Sequence, residues 1–181
     1  MSQLQSILEE LQNKQKIEQG RLPKIFCDMD QVLVNFMLGA QEILGVPFNE
    51  YPGEKEEKWQ KLKQVNGFWA NLPIMPDGML LWKYIRDFEP AILSTPSRRM
   101  PTCKVEKILW LRTHLRFVGE THIVRRQDKK KYAVTDDGYP NLLIDDYKKN
   151  ILEWETAGGI GILHKDTLST IRKLKNLGYT K

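Results

Sequence analysis

At 181 residues the chain suits one domain with a sizeable core and room for a small insert, and its 41% hydrophobic and 28% charged residues are ordinary for a soluble globular protein. No apolar run approaches the ~20 residues a membrane span needs and the polar start MSQLQSILEELQNKQK is not a signal peptide, so the cytoplasm is the expected location and a membrane is not an expected partner. The formal charge of +5 agrees with an anionic substrate without naming one, and the two cysteines, Cys27 and Cys103, suggest reduced thiols rather than a disulfide framework or a zinc site.

Leu4, Ile7, Leu8 and Leu11 recur at helical spacing, so residues 2–19 read as an amphipathic helix stopped by Gly20. Its apolar stripe packs on its own domain or on a second copy, which leaves monomer and homodimer both open. The run Ile25-Phe26-Cys27, preceded by Pro23, has no helical period and reads as a buried strand. It ends in Asp28 and Asp30, placed where loops leaving a parallel sheet open a crevice. Either aspartate alone also fits a turn former or a helix N-cap. A second apolar run, NLLIDD at residues 141–146, ends in Asp145 and Asp146. Two strands closing on acid pairs give one divalent cation a reason to bind, because mutual repulsion would otherwise raise their pKa values.

Helices are expected over residues 34–44 and 54–65, separated by the turn-rich VPFNEYPG. An insert at this point, between the first strand and the next α/β repeat, would cover the active site. Phe36, Phe68 and Trp69 are candidates for stacking on a nucleobase, with core packing as the alternative; Tyr51 and Trp59 read as packing residues. A helix over 79–89 leads to a strand over 90–93 that ends in Ser94-Thr95-Pro96. A hydroxyl at a strand end, beside free N–H groups, suits a phosphate oxygen, and it also suits a cap. Residues 102–115 are helical by the pattern Val105, Ile108, Leu109 and Leu115, and carry Lys104 and Lys107. His114 and His122 lack paired ligand spacing. After a strand near 122–124 comes a basic run, residues 125–131, usually a solvated face. A helix over 147–156, a strand following the glycine turn at 157–161, and a helix over 166–177 complete the chain. The glycines precede a strand, so they make no dinucleotide fingerprint.

Five segments resemble the motifs of the haloacid-dehalogenase-like phosphohydrolases, and within them most nearly the 5'(3')-deoxyribonucleotidases, in order and spacing over about residues 23–165. DMDQVLVNF at 28–36 matches the Asp-x-Asp-x-Val/Thr motif, and ILSTPS at 92–97 the strand ending in Ser or Thr. EKILW at 106–110 and QDK at 127–129 resemble the lysine-bearing segments, while LLIDD at 142–146 matches the last motif. The resemblance implies a single domain over 1–181: a three-layer, Rossmann-like α/β parallel sheet with a small helical cap inserted at about 36–75. It implies a nucleotidase that releases phosphate from a small phosphoester with Mg²⁺ as cofactor. Asp28 would be the nucleophile and Asp30 the general acid and base. Asp28, the Asp30 carbonyl and Asp146 would hold the metal, with Asp145 bound through water or supporting the site. Ser94, Thr95, Lys107 and Lys129 would bind the phosphate.

Three positions depart from the deoxyribonucleotidase pattern: Gln31 where Gly is usual, Asn35 where Asp is usual, and Gln127 where Arg is usual. These changes leave the acids intact and bear on the loop after Asp30 and on the substrate. Beside a (deoxy)nucleoside monophosphate phosphatase stand two other readings, a phosphatase of nucleic-acid 3' ends or other small phosphoesters, and an inactive binding protein on the same fold. Nucleic acid is a partner only in the former of these two.

Overall fold

The computed structural model describes residues 20–181, so the helix expected over 2–19 lies outside the described residues. Five strands, β1 (Ile25–Cys27), β2 (Ala91–Ser94), β3 (Thr121–Ile123), β4 (Leu142–Asp145) and β5 (Ile160–Leu163), form one sheet in the order β3-β2-β1-β4-β5, every pairing parallel. Among the described residues six α-helices accompany them: α1 (Phe36–Leu44), α2 (Lys55–Lys63) and α3 (Gly78–Ile85) between β1 and β2, α4 (Cys103–Leu115) after β2, α5 (Lys148–Thr156) after β4 and α6 (Thr167–Asn176) after β5. No helix among the described residues is long and apolar enough to cross a membrane.

The central strands are apolar on both faces because each face has its own helical cover. Side chains alternate across the sheet. Ile25, Cys27, Ile92, Leu142 and Ile144 join Leu81, Ile85, Trp110 and Leu174 in one core, while Phe26, Ala91, Leu93 and Leu143 join Ala133, Ile151 and Trp154 in the other. Three layers follow from this two-sided burial.

The helix expected from residue 34 starts at Phe36, because Met29–Val34 is a tight turn in which Val32, Leu33 and Val34 N–H groups all donate to the Met29 carbonyl. Helix α4 spans the expected residues with a different buried face. Val105 and Leu109 are 70% and 52% exposed, and Cys103, Lys107, Trp110 and Leu111 face inward. A lysine on the buried face hides the helix's true periodicity from a hydrophobic pattern.

Between Val34 and Ile74 the chain carries α1, a 3₁₀ turn at Phe48–Glu50, and α2. This insert is closed at its base by an antiparallel bridge, with Asn35 N–H donating to Pro73 O and Met75 N–H to Leu33 O, both at 2.8 Å. The approach is close here: a Cβ on Gly78 would lie 3.1 Å from the Leu33 carbonyl oxygen. The Trp110 indole N–H then ties the insert's return segment to α4 by donating to Leu72 O at 2.7 Å.

Trp110 is fully buried, so Trp110→Phe removes that donor and leaves a buried carbonyl unpaired. The expected loss is about 1–3 kcal/mol of unfolding free energy by urea denaturation. A loss below about 0.5 kcal/mol, the level of a surface substitution, would mean the Leu72 carbonyl finds another partner.

Candidate active site

The register of the sheet builds the site. Cys27 lies opposite Ile144 in the β1–β4 pair, so the next residues, Asp28 and Asp145, leave adjacent strands side by side, and Asp28 N–H donates to Ile144 O at 2.9 Å. On the other side of β1, β2 delivers Ser94 and Thr95 to the same edge. A 3₁₀ segment at Arg126–Tyr132, entered from β3, turns Lys129 inward, and α4 supplies Lys107. All eight polar residues expected at the site, from Asp28 and Asp30 through Ser94, Thr95, Lys107 and Lys129 to Asp145 and Asp146, thus meet at the carboxyl edge of the strands.

Two buried lysines divide the acids between them. Lys129, 3% exposed, donates to Asp145 Oδ2 at 2.7 Å and sits 3.1 Å from Asp28 Oδ1, an ion-pair distance without hydrogen-bond alignment. Burial disfavours its charge, but Asp28 and Asp145 outweigh burial and raise its pKa. Lys107, 1% exposed, donates to Asp30 Oδ2 at 2.6 Å, Ser94 Oγ at 2.9 Å and Thr95 O at 3.0 Å. All three ammonium hydrogens of Lys107 therefore have acceptors.

Asp145 is fully buried and well supplied with donors: Tyr147 N–H reaches Oδ1 at 2.9 Å, and Asn150 Nδ2 lies 3.0 and 2.9 Å from its two oxygens. Burial and then the charge of Asp28 nevertheless push its carboxyl up to about 6, against Lys129. Asp146 sits at the exposed rim, yet desolvation of its carboxyl group, then the charges of Asp28 and Asp145, raise it to about 7. Burial likewise raises Asp30, opposed by Lys107; its side chain is a third exposed, but Oδ1 itself is enclosed. Four carboxylates face two ammonium groups, leaving a formal excess of two negative charges.

A divalent cation fits that excess. Carboxylate oxygens of Asp28, Asp145 and Asp146 lie within 4.8 Å of one another, and Asp28 Oδ1 is buried without a hydrogen-bond donor among the described residues. With Asp145 already engaged by Lys129, Asn150 and Tyr147, the oxygens of Asp28 and Asp146 are the more available ligands. An all-oxygen set of few carboxylates suits Mg²⁺.

The aromatic candidates occupy a different environment. Phe36 stacks on Trp69 with centroids 5.3 Å apart and meets Phe48, Trp59 and Phe68 around it. Phe68 and Trp69 are 2% and 5% exposed, which is the packing alternative of the sequence reading; Phe36 is half-buried. Trp69 borders the polar site through Lys107, whose Nζ lies 5.1 Å from its ring centroid. A cleft of about 470 Å³, lined by Arg21, Lys24, Asp87 and Tyr179, opens at the amino end of the strands, away from the site acids.

Sequence reasoning missed Asn150 and Arg126. Asn150 is 7% exposed and shares the buried face of α5 with Ile151 and Trp154, a polar residue on an apolar stripe that could have marked it. Arg126 donates to Asn150 Oδ1 at 3.2 Å and makes a two-pronged pair with Glu153 at 2.9 and 3.0 Å, holding the asparagine toward Asp145. The rest of the basic run is largely neutralised: Arg125 and Lys131 both pair with Asp128.

No protein-family model matches the chain. Among curated proteins, the "Putative 5'(3')-deoxyribonucleotidase" of Acanthamoeba polyphaga mimivirus is 28% identical over 110 residues, a match covering 49% of this chain and 50% of that protein. The chain thus spans about half the length of the curated relative it matches. Among solved structures, a hydrolase from Streptococcus pneumoniae superposes with a TM-score of 0.56 at 12% identity, covering 85% of this chain and 98% of that one. The L-2-haloacid dehalogenase of Xanthobacter autotrophicus gives 0.51 at 11%, covering 86% and 83%. A HAD-superfamily hydrolase from Geobacter sulfurreducens gives 0.50 at 11%, covering 78% and 88%. With its five-stranded parallel sheet and acids gathered at the carboxyl edge, this chain has the fold of the haloacid-dehalogenase-like hydrolases.

Proposed function

We propose that the protein is a Mg²⁺-dependent phosphomonoester hydrolase that releases phosphate from (deoxy)nucleoside monophosphates through an aspartyl phosphate. The observation that carries this reading is Asp28 Oδ1, a buried carboxylate oxygen without a hydrogen-bond donor, fixed beside Lys129 at the strand edge. The nucleotide part rests on the similarity of half the chain to a protein named as a deoxyribonucleotidase.

Asp28 attacks phosphorus, forming the Asp28 oxygen–phosphorus bond as the bond to the leaving oxygen breaks. Asp30, set two residues on by the Met29 turn, gives its proton to that leaving oxygen. Its enclosed Oδ1 and raised pKa suit a carboxyl that carries a proton. In the second step water attacks phosphorus, Asp30 takes the water's proton, and the bond to Asp28 breaks to free phosphate. Ser94 and Thr95 hold phosphoryl oxygens beside the positive charge of Lys107; the buried Thr95 Oγ1, without a partner among the described residues, is an available donor. Lys129 offsets the repulsion between Asp28 and an arriving anion. Mg²⁺ held by Asp28, the Asp30 carbonyl and Asp146 would neutralise charge on the phosphoryl oxygens.

A second reading, phosphatase of nucleic-acid 3' ends, draws on exposed Lys148 and Lys149, two and three residues after Asp146 at the site's rim. A polyanionic strand would engage such a rim, and turnover would fall steeply with salt.

Asp28→Asn is expected to cut phosphate release by at least about 10³-fold and Asp30→Asn by about 10²–10⁴-fold, with circular dichroism unchanged. An Asp28→Asn enzyme retaining a tenth of the activity would remove Asp28 as nucleophile. In a Mg²⁺-supplemented panel of nucleoside monophosphates, sugar phosphates and 3'-phosphorylated oligonucleotides, dUMP or dTMP is expected to lead, and chelation to abolish release. Oligonucleotides leading the panel with strong salt sensitivity would replace the nucleotide reading with the second one.

A further inference from the structure

Gln31, immediately after Asp30, stands at φ +58°, a left-handed conformation that glycine adopts freely and a branched or long side chain rarely does. Its side chain does something a glycine could not. With the amide turned so that its oxygen faces α1, Gln31 accepts hydrogen bonds from Phe36 and Met37 N–H at 3.1 Å each. Asn35 Oδ1 takes the next donor, Leu38 N–H, at 3.0 Å. The first amides of α1 are thus met by two side chains, Gln31 from the turn that bears Asp30 and Asn35 from the helix cap, and Phe36 N–H also donates to Val34 O at 3.2 Å.

The same turn is tightly closed on itself: Gln31 N–H donates to Val34 O at 2.8 Å, and Val34 N–H returns to Met29 O at 2.9 Å. Helix α1 opens with Phe36, which stacks on Trp69, and Trp69 in turn borders Lys107. One side chain therefore spans the junction between the acid-bearing turn and the aromatic insert.

We propose that Gln31 is a positioning residue, a latch whose amide fixes the insert's first helix to the Asp30 turn and so sets where the insert stands over the phosphate site. Its effect on turnover rests on the phosphatase reading; the latch itself does not. Gln31 touches no reacting atom and acts through Asp30's turn and through Phe36.

Three substitutions separate the latch from backbone relief. Gln31→Gly frees φ and removes the amide. Gln31→Asn keeps a residue that tolerates this conformation but shortens the reach by one methylene. Gln31→Glu keeps an accepting oxygen at full reach, and a negative charge suits a helix N-terminus. Hydrogen exchange on the full chain is expected to quicken at least about tenfold at Phe36 and Met37 in the Gly and Asn variants, to spread to Val32–Val34, and to stay near wild type in the Glu variant. In kinetics on the best substrate of the panel, Gly and Asn are expected to raise KM about threefold or more with a smaller change in kcat, and Glu to restore KM. The thermal midpoint of Gln31→Gly should stay near wild type, because relief of the backbone offsets the lost bonds.

Unchanged exchange at Phe36 and Met37 in Gln31→Gly overturns the latch. Faster exchange confined to those two amides with wild-type KM reduces Gln31 to a helix cap and also overturns it. Should the wild-type protein release no phosphate, the phosphatase reading fails by itself, and the spread of exchange into Val32–Val34 still decides the latch.

Discussion

The parallel pairing of β1 with β4 is the constraint from which the site follows. Its register sets Asp28 against Asp145, and the next residue adds Asp146, so three carboxylates crowd one edge of a sheet whose central strands run through apolar core. Such crowding is costly unless each charge finds a partner or a proton. Lys129 is the protein's answer for two of them, and Asn150 and Tyr147 N–H add donors to Asp145. What is left over, the excess charge and the undonated oxygen of Asp28, is concentrated where a cation and a phosphoryl group would meet. The crowding of the acid cluster and its capacity to hold a cation are therefore one property.

Lys107 belongs to a second, separate half of the site. It is presented from the buried face of α4, three residues before Trp110, so the helix turn that anchors the insert through Leu72 also places an ammonium between Asp30 and Ser94. Trp69 N–H adds a bond to Glu106 of the same helix at 2.9 Å. The insert is thus held to α4 at several points close to Lys107. Any shift of the insert is felt by the lysine that contacts Asp30 and the Ser94 hydroxyl at the end of β2.

How much of this was legible depended on whether the signal was local. Strand ends were: IFC, AILS and LLID are apolar on both faces and stop at polar residues, so β1, β2 and β4 and their acids and hydroxyls could be read from the chain. The helices of the α/β repeat were found with shifted ends, because the Met29 turn and the 3₁₀ segments use backbone bonds that leave no hydrophobic period. Helix faces were less legible. Val105 and Leu109 look like core in a pattern yet point outward, since the inward position goes to Lys107, whose partners come from β1 and β2. The same blindness hid Asn150: its value lies in a carboxylate five residues earlier and an arginine on another segment.

Gln31 shows why a departure from a motif need not disturb its chemistry. The turn after Asp30 requires a positive φ whatever residue stands there, because three N–H groups converge on the Met29 carbonyl. Glycine would meet that requirement with no side chain; glutamine meets it at a backbone cost and gains two acceptor contacts with α1. The acids on either side of Met29 keep their places, since their positions are set by β-sheet register and by Lys107 and Lys129 rather than by residue 31. What Gln31 adds is a side-chain contact across the junction to the insert. The acids are for that reason fixed by strand ends and buried ion pairs, whereas the insert's first helix meets the Asp30 turn through the Gln31 side chain.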